Sequence, residues 1–229
     1  MNPTPNSASE AAPDYATGFS VTFNVDISRS ALILIDLQYA SASRRHGLGR
    51  ILAEQGDPRS GAWRFDRIEQ EVIPNVRRLL QRYRSVGAPV VHLTLGSRTG
   101  DFTDVAPFLR PLAKATDNRV GSANHAILEP VAPLPGEPVL VKTTASGFLG
   151  SDLRQVLNQL GVAQLVLTGV STNSCVESTG RDAADLGYEC VLVDDACAAA
   201  SAALHQAAVT NFARLFGRTA TTRDLLSEL

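Results

Sequence analysis

Short apolar runs of strand length alternate with helical segments along most of this chain. Residues 30–38, SALILIDLQ, form the clearest run, and its apolar part stops at Asp36. Runs without polar alternation are typical of strands covered on both faces, as in a parallel sheet. Further strands are predicted at 88–95, 138–142, 163–170, 188–197 and, as an edge strand, 218–222.

The segments between these runs have helical spacing. Residues 66–86 carry apolar side chains three or four positions apart, with charged residues between them and Gly87 as a stop. Other helices are predicted at 104–115, 150–161, 175–187 and 201–217. Because strands and helices alternate, we predict an α/β fold: a three-layer α/β/α sandwich with a mostly parallel six-stranded sheet, in the strand order 3-2-1-4-5-6.

The length of 229 residues suits one domain of this kind. We assign the domain to residues 21–229, because no linker or repeat divides that range. Residues 1–20 are rich in Pro, Ser, Asn and Ala, which predicts a disordered N-terminal arm.

Charge and composition exclude several classes of partner. A net charge of −2 leaves no basic excess to bind a phosphate backbone, so no nucleic acid is expected. No apolar run reaches the roughly 18–20 residues of a membrane span, and the N-terminus lacks the regions of a signal peptide. Three cysteines do not imply a disulfide framework. We therefore expect a cytoplasmic protein.

Three reactive side chains follow predicted strands. Asp36 ends the first strand, Lys142 ends the third, and Cys175 follows the fourth. In a doubly wound sheet, ligands bind at the carboxyl ends of strands where the strand order reverses, and strands one and four flank that point. Taken singly, each residue also has a purely structural interpretation: Asp36 as a turn former, Lys142 as a solvated strand end and Cys175 as a small core residue. Their joint placement at one crevice favours catalysis.

The segment STNSCVES around Cys175 has the pattern of a helix start. Ser174 and Glu177 fit a capping box, which places Cys175 in the first helical turn. There the helix dipole and a nearby Lys142 are expected to lower the pKa of the thiol. The backbone N–H groups can hold an oxyanion, and Asp36 can move a proton from the thiol to a leaving amine.

Other common motifs are not found. GLGRIL at 47–52 has two of the three glycines of a dinucleotide fingerprint and does not open a helix directly after a strand. The four histidines are scattered without metal-ligand spacing, and His92 is interpreted as a core residue. Cys190 and Cys197, which open and follow the fifth predicted strand, are interpreted as structural.

Three segments together resemble the isochorismatase-like cysteine hydrolase superfamily. They are LILIDLQ with Asp36, VKTTASGF with Lys142, and TGVSTNSCVESTGRDAADLGYECVLVDDACA with Cys175. The resemblance implies a catalytic triad with Asp36 as base and acid, Lys142 as support for the thiolate and Cys175 as nucleophile. It also implies a cis peptide bond between Val170 and Ser171, with the amides of Ser171 and Cys175 as the oxyanion hole.

The resemblance covers residues 28–222, and departures from the family pattern narrow the chemistry. Isochorismatases proper have glycine in place of Cys175, so the cysteine implies attack on a carbonyl. Nicotinamidases carry an Asp-x-His metal motif that VVHLTLGSRTGD at 90–101 lacks, so no metal and no cofactor is expected. The pattern is similar to metal-free hydrolases of N-carbamoylsarcosine, biuret and ureidoacrylate.

We therefore expect a cysteine amidohydrolase that cleaves a C–N bond of a small amide, ureido or carbamoyl compound through a thioester and releases ammonia or an amine. The alternative is a non-catalytic or thiol-sensing member of the same fold that binds a small metabolite. The resemblance also implies a homo-oligomer, a dimer or tetramer. Small residues on the 175–187 helix predict close packing, either on the sheet or against another subunit.

The substrate contacts are the least constrained part of the site. The loops 39–64 and 96–125 are expected to shape the pocket. The candidate pocket residues outside the triad are Gln38, Tyr39, Phe148 and Thr172. One loop arginine can hold a substrate carboxylate, although a solvated arginine is the commoner case. The arginines considered are Arg44, Arg45, Arg50 and Arg119.

Overall fold

Six strands form one sheet in the computed structural model, which describes residues 18, 20–56 and 59–229. The strands are β1 (Ser30–Ile35), β2 (Val90–Leu95), β3 (Val139–Lys142), β4 (Gln164–Val170), β5 (Glu189–Ala198) and β6 (Arg218–Ala220). Their order is β3-β2-β1-β4-β5-β6, and every neighbouring pair is parallel. The predicted fold class and strand order are confirmed. The predicted N-terminal arm lies outside the described residues, except for residues 18 and 20.

Helices cover both faces of the sheet. They are α1 (Tyr39–Ala42), α2 (Gly47–Glu54), α3 (Ala62–Arg67), α4 (Ile73–Ser85), α5 (Arg110–Ala115), α6 (Gly147–Gly150), α7 (Leu153–Leu160), α8 (Glu177–Asp185), α9 (Ala202–Leu215) and α10 (Thr222–Glu228). Successive strand residues point to opposite faces. Leu32 and Leu34 of β1 accordingly join the apolar core that includes α4, whereas Ala31 and Ile33 join the core that includes α7 and α9.

The helix predicted at 66–86 begins earlier, at Ala62, and has an irregular middle. A π-turn at Ile68–Val72 separates α3 from α4, just before Pro74, which has no N–H to donate. In the ranges that the structure describes, no helix combines the length and apolarity needed to cross a membrane.

Two other boundaries also differ from expectation. The helix predicted at 104–115 is confined to α5, because the preceding residues form turns. Strand β5 continues to Ala198, so Cys197 lies within the strand rather than after it. Both Cys190 and Cys197 are fully buried in the core, as the structural interpretation of these cysteines requires.

Small residues on α8 allow the helix to pack closely within the protomer. A Cβ atom added at Gly180 would lie 2.5 Å from the ring of Phe212 and 2.7 Å from the side chain of Leu167. Leu167 belongs to β4 and Phe212 to α9. At this position, the small residue therefore serves packing on the sheet.

The carboxyl ends of three strands bring the predicted catalytic residues to one edge. Asp36 directly follows β1, Lys142 ends β3, and Ser171 directly follows β4. Asp36 has a φ of 53°, in the left-handed region that non-glycine residues rarely occupy. Such backbone strain persists where the surrounding structure enforces it, and it is common at functional sites.

Candidate active site

Lys142 and Asp36 form an ion pair at the carboxyl edge of the sheet. The Lys142 Nζ atom donates to Asp36 Oδ2 at 2.9 Å and to the Thr144 carbonyl at 3.1 Å. Both side chains are almost fully buried, at 0% and 4% exposure. Burial opposes the charged ammonium, but the nearby acidic groups of Asp36 and Cys175 outweigh it, and the pKa of Lys142 is raised. Lys142 is therefore a cation at neutral pH.

Asp36 keeps one carboxylate oxygen available. Its Oδ1 atom is buried and has no hydrogen-bond partner among the described residues. The main chain is fixed on both sides, since the Asp36 N–H donates to the Leu93 carbonyl at 2.9 Å and its carbonyl accepts from the Ser41 hydroxyl at 2.6 Å. A buried acceptor without a donor is costly, so its persistence here marks an atom placed to receive a proton.

Cys175 lies beside this ion pair and is only 6% exposed. Burial raises the pKa of its thiol to about 12, and the negative charge of Asp36 adds to this while the ammonium of Lys142 opposes it. The predicted lowering of this pKa is therefore wrong, because desolvation and Asp36 together outweigh Lys142. In the resting protein, Cys175 is a neutral thiol.

The helix that carries Cys175 begins earlier than predicted. Its first turn is a π-turn at Thr172–Val176 with Ser171 at the N-cap, and α8 continues from it. Ser174 consequently lies inside the helix, and the Glu177 carboxylate binds the arginine four residues further along. The predicted capping box is wrong, because its two residues sit one turn too far into the helix to cap it.

In this π-turn, the amide of Cys175 does not donate to the Ser171 carbonyl. The Ser171 carbonyl accepts from the N–H groups of Ser174 at 3.0 Å and Val176 at 3.2 Å, the two neighbours of Cys175. In a regular α-helix, the Cys175 N–H would donate to this carbonyl. π-turns are frequent at functional sites. The peptide bond between Val170 and Ser171, which leads into the turn, is cis.

Asp36, Ser171 and Cys175 line a cavity of about 340 Å³. The insertions at 39–64 and 96–125 supply most of its remaining wall. That wall is mainly apolar; its larger apolar residues are Leu48, Leu95, Leu109, Leu112 and Val170. A cavity of this size and lining suits a small molecule that presents few polar groups.

Arg64 is a cavity residue that sequence reasoning missed. It lies in α3, is 5% exposed, and donates to the Ser171 hydroxyl at 2.8 Å and to the Ser41 carbonyl at 3.0 Å. Burial lowers its pKa to about 10, against the opposing influence of Cys175 and Asp36. One signal was available: Arg64 is four residues before the buried Ile68, so it falls on the apolar face of its helix.

The four candidate pocket residues are not part of the cavity lining. Gln38 is fully buried and exchanges hydrogen bonds with the main chain of Leu95, at 2.9 Å and 3.1 Å. The Thr172 hydroxyl lies 2.8 Å from His205 Nδ1. Tyr39 packs edge-on against His46, with the ring centroids 4.9 Å apart, and the half-buried Phe148 packs against the core near Tyr188.

The four predicted loop arginines also lie outside the cavity lining. Arg44 pairs with Asp66 and Glu69, Arg50 pairs with Glu54, and Arg119 pairs with Asp117. Arg45 is exposed. These four arginines therefore agree with the interpretation that they are solvated at the surface. The buried arginine of the site is Arg64.

His92 is buried in β2, which agrees with its interpretation as a core residue. Its Nε2 atom lies 3.1 Å from Glu137 Oε2, and Glu137 also accepts two hydrogen bonds from Arg84 at 2.7 Å and 2.8 Å. Burial lowers the pKa of His92, so the ring is neutral at pH 7. Over the residues that the structure describes, no group of three or more His, Cys, Asp or Glu side chains is arranged to hold a metal ion.

Comparison with known proteins gives consistent matches across the chain. A model of the isochorismatase domain matches residues 30–224. The ureidoacrylate amidohydrolase RutB of Variovorax paradoxus (strain S110) is 33% identical over 214 residues, which are 87% of this chain and 81% of the relative. RutB of Caulobacter vibrioides (strain ATCC 19089 / CIP 103742 / CB 15) is 32% identical over 87% of this chain and 91% of its own length.

The crystal structure of a cysteine hydrolase from Pseudomonas syringae pv. phaseolicola 1448A has the same fold. Its TM-score is 0.76 at 24% identity, over 91% of this chain and 96% of its own.

Proposed function

This chain belongs to the isochorismatase family, and we propose that it is a cysteine-dependent amidohydrolase, which cleaves a C–N bond of a small amide, ureido or carbamoyl compound. One observation carries the proposal: the carboxylate of Asp36 and the thiol of Cys175 line one cavity, and the buried ammonium of Lys142 is paired with Asp36 beside them. The relatives named as ureidoacrylate amidohydrolases support the class of substrate.

Formation of the acyl-enzyme begins with proton transfer from Cys175 to Asp36. The unpaired Oδ1 atom of Asp36 accepts the thiol proton, and Lys142 compensates the negative charge that moves to sulfur. The thiolate attacks the substrate carbonyl to form a tetrahedral intermediate. Its oxyanion is held by the amides of Ser171 and Cys175. Collapse of this intermediate breaks the C–N bond as Asp36 returns the proton to the leaving nitrogen, which departs as ammonia or an amine.

Hydrolysis of the thioester reverses these roles. Asp36, ionised again, takes a proton from water, and the resulting hydroxide attacks the thioester carbonyl within the same oxyanion site. The C–S bond then breaks, and the proton on Asp36 passes to the departing thiolate. Cys175 returns to its neutral form, which is the form that its raised pKa favours at rest. Neither formation nor hydrolysis of the thioester, as proposed here, uses a metal or a cofactor.

A thiol-sensing function is less consistent with this site. Sensor cysteines are solvent-accessible and have lowered pKa values. Cys175 is buried and its pKa is raised. A cytoplasmic location and assembly into a homo-oligomer stay predictions.

The proposed function is tested by ammonia release across a panel of small amides and ureido acids. We expect turnover of at least one compound by the wild-type protein and none by Cys175→Ala. Cys190→Ala is the matched control, because it removes a buried thiol that the mechanism does not use. Full activity of Cys175→Ala on the same compound would refute the mechanism.

A further inference from the structure

Arg64 holds a positive charge in the cavity wall without a carboxylate partner within the described residues. Its hydrogen bonds go to two neutral oxygen atoms, the Ser41 carbonyl and the Ser171 hydroxyl. The acid among the described lining residues, Asp36, is already paired with Lys142. An arginine so placed differs from Arg44 of the same insertion, whose charge is matched by Asp66 and Glu69.

The charges of the site therefore sum to a net positive value at rest. Asp36 and Lys142 compensate each other, and Cys175 is a neutral thiol, which leaves Arg64. A buried charge in mainly apolar surroundings is costly unless a counter-ion meets it. Among the described residues that line the cavity, Asp36 is the only acid. The counter-ion of Arg64 therefore has to come from the ligand.

Arg64 also has donors left to meet such a ligand. A guanidinium carries five N–H groups, and the hydrogen bonds to Ser41 and Ser171 use three of them. One N–H group on each terminal nitrogen remains. The two oxygens of a carboxylate match a pair of donors of this kind.

The position of Arg64 sets the distance between a carboxylate bound to it and the reacting carbonyl of the same ligand. Ser171 connects the two sites, because its hydroxyl accepts from Arg64 while its amide belongs to the proposed oxyanion hole. A group bound to Arg64 therefore lies only a few bonds from the carbonyl at Cys175. Leucine side chains of the cavity wall are placed to contact the short carbon chain between them.

We propose that Arg64 is a specificity-determining residue that binds a carboxylate of the substrate. The preferred substrates are then short amides or ureido compounds with a carboxylate a few bonds from the scissile carbonyl. This inference rests on the proposed function, because it names the substrate class of that same site.

Binding to the Cys175→Ala protein tests the inference without turnover. Calorimetric titration compares two matched pairs: 3-ureidopropionate with its neutral counterpart butylurea, and succinamate with 4-oxopentanamide. We expect at least one carboxylate to bind about 10-fold or more tightly than its neutral partner. The preference should disappear in Arg64→Gln/Cys175→Ala and be partly retained in Arg64→Lys/Cys175→Ala, which keeps the charge.

Arg44→Gln/Cys175→Ala is the matched control, because it removes an exposed arginine of the same insertion and should leave the preference intact. Thermal unfolding of each variant verifies that it is folded. An unchanged preference after Arg64→Gln, equal affinity within both pairs, or no binding of either carboxylate would overturn the inference.

Turnover then separates specificity from a general catalytic effect. In the otherwise wild-type protein, Arg64→Gln should raise KM for the preferred carboxylate and lower its kcat/KM at least several-fold more than that of its neutral partner. An equal loss for both partners would make Arg64 a support for the oxyanion loop and refute the inference. Failure of the proposed function has a different signature: either the wild-type protein hydrolyses none of the compounds, or Cys175→Ala retains hydrolysis, whether or not the carboxylate preference is found.

Discussion

The ammonium of Lys142 and the carboxylate of Asp36 lie 2.9 Å apart at a point where neither side chain is more than 4% exposed. Each group compensates the charge of the other, so the pair supports the fold as well as the proposed chemistry. Loss of one partner leaves an isolated buried charge, whereas replacement of both by neutral groups removes that cost.

We expect Lys142→Met to lower the free energy of unfolding by about 3 kcal/mol and to abolish hydrolysis, because Asp36 loses its counter-ion. The double variant Asp36→Asn/Lys142→Met should recover part of the lost stability without any activity. Urea unfolding measures the first effect and ammonia release the second. A double variant less stable than Lys142→Met would contradict the argument from charge compensation.

The raised pKa of Cys175 makes a prediction about its reactivity. With a pKa of about 12, the thiolate is rare at neutral pH, and its fraction increases as the pH rises. Alkylation of Cys175 by iodoacetamide in the absence of substrate should therefore accelerate about 10-fold per pH unit, without a plateau near the ordinary thiol value. Mass spectrometry of the Cys175 peptide follows the reaction, and urea-unfolded protein gives the reference profile. A plateau below about pH 9 in the folded protein would show that Lys142 outweighs burial after all.

A thioester intermediate predicts that a second nucleophile can intercept it. Hydroxylamine added to the reaction should yield a hydroxamate from an amide substrate, or hydroxyurea from a ureido substrate, at the expense of the hydrolysis product. The share of this product should rise with hydroxylamine concentration, because water and hydroxylamine compete for the thioester after the C–N bond has broken. Cys175→Ala should form none of it. Ammonia release without any trapped product would argue for direct attack by water.

The convergence of the three candidate catalytic residues could be predicted from sequence because the topology of a parallel sheet determines where strands end. Asp36, Lys142 and Cys175 each follow an apolar run, and such runs have their carboxyl ends at one edge. The fold class follows from the same alternation of strands and helices. Neither inference depends on the detailed path of the loops.

The cavity wall could not be predicted in this way. Gln38 is only two residues from Asp36, yet its amide turns inward to hold the main chain of Leu95. Arg64 reaches Ser171 only because the insertion after β1 packs over the sheet edge. The pKa of Cys175 likewise depends on burial, which local sequence does not determine, and so its direction was predicted wrongly.

Glu137 supplies a last prediction, which concerns stability against acid. Burial opposes its charge, but hydrogen bonds from Arg84, the Leu134 amide and His92 outweigh it and lower its pKa to about 2. The stabilisation from the carboxylate is therefore complete above the ordinary value of 4.5 and is lost as the pH falls toward 2. We expect Glu137→Gln to cost about 1–2 kcal/mol at pH 7, after allowance for partial solvent screening.

Urea unfolding of the wild type and Glu137→Gln at pH 7 and at pH values between 4.5 and 2 measures this dependence. The difference between the two proteins should shrink across that acid range, because the wild-type carboxylate becomes protonated and loses its attraction to Arg84. Glu54→Gln is the control: Glu54 is an exposed partner of Arg50 on one helix, so its replacement should change stability little at either pH. A Glu137→Gln deficit of constant size from pH 7 to the acid limit would assign the effect to packing or hydrogen-bond geometry rather than to the charge.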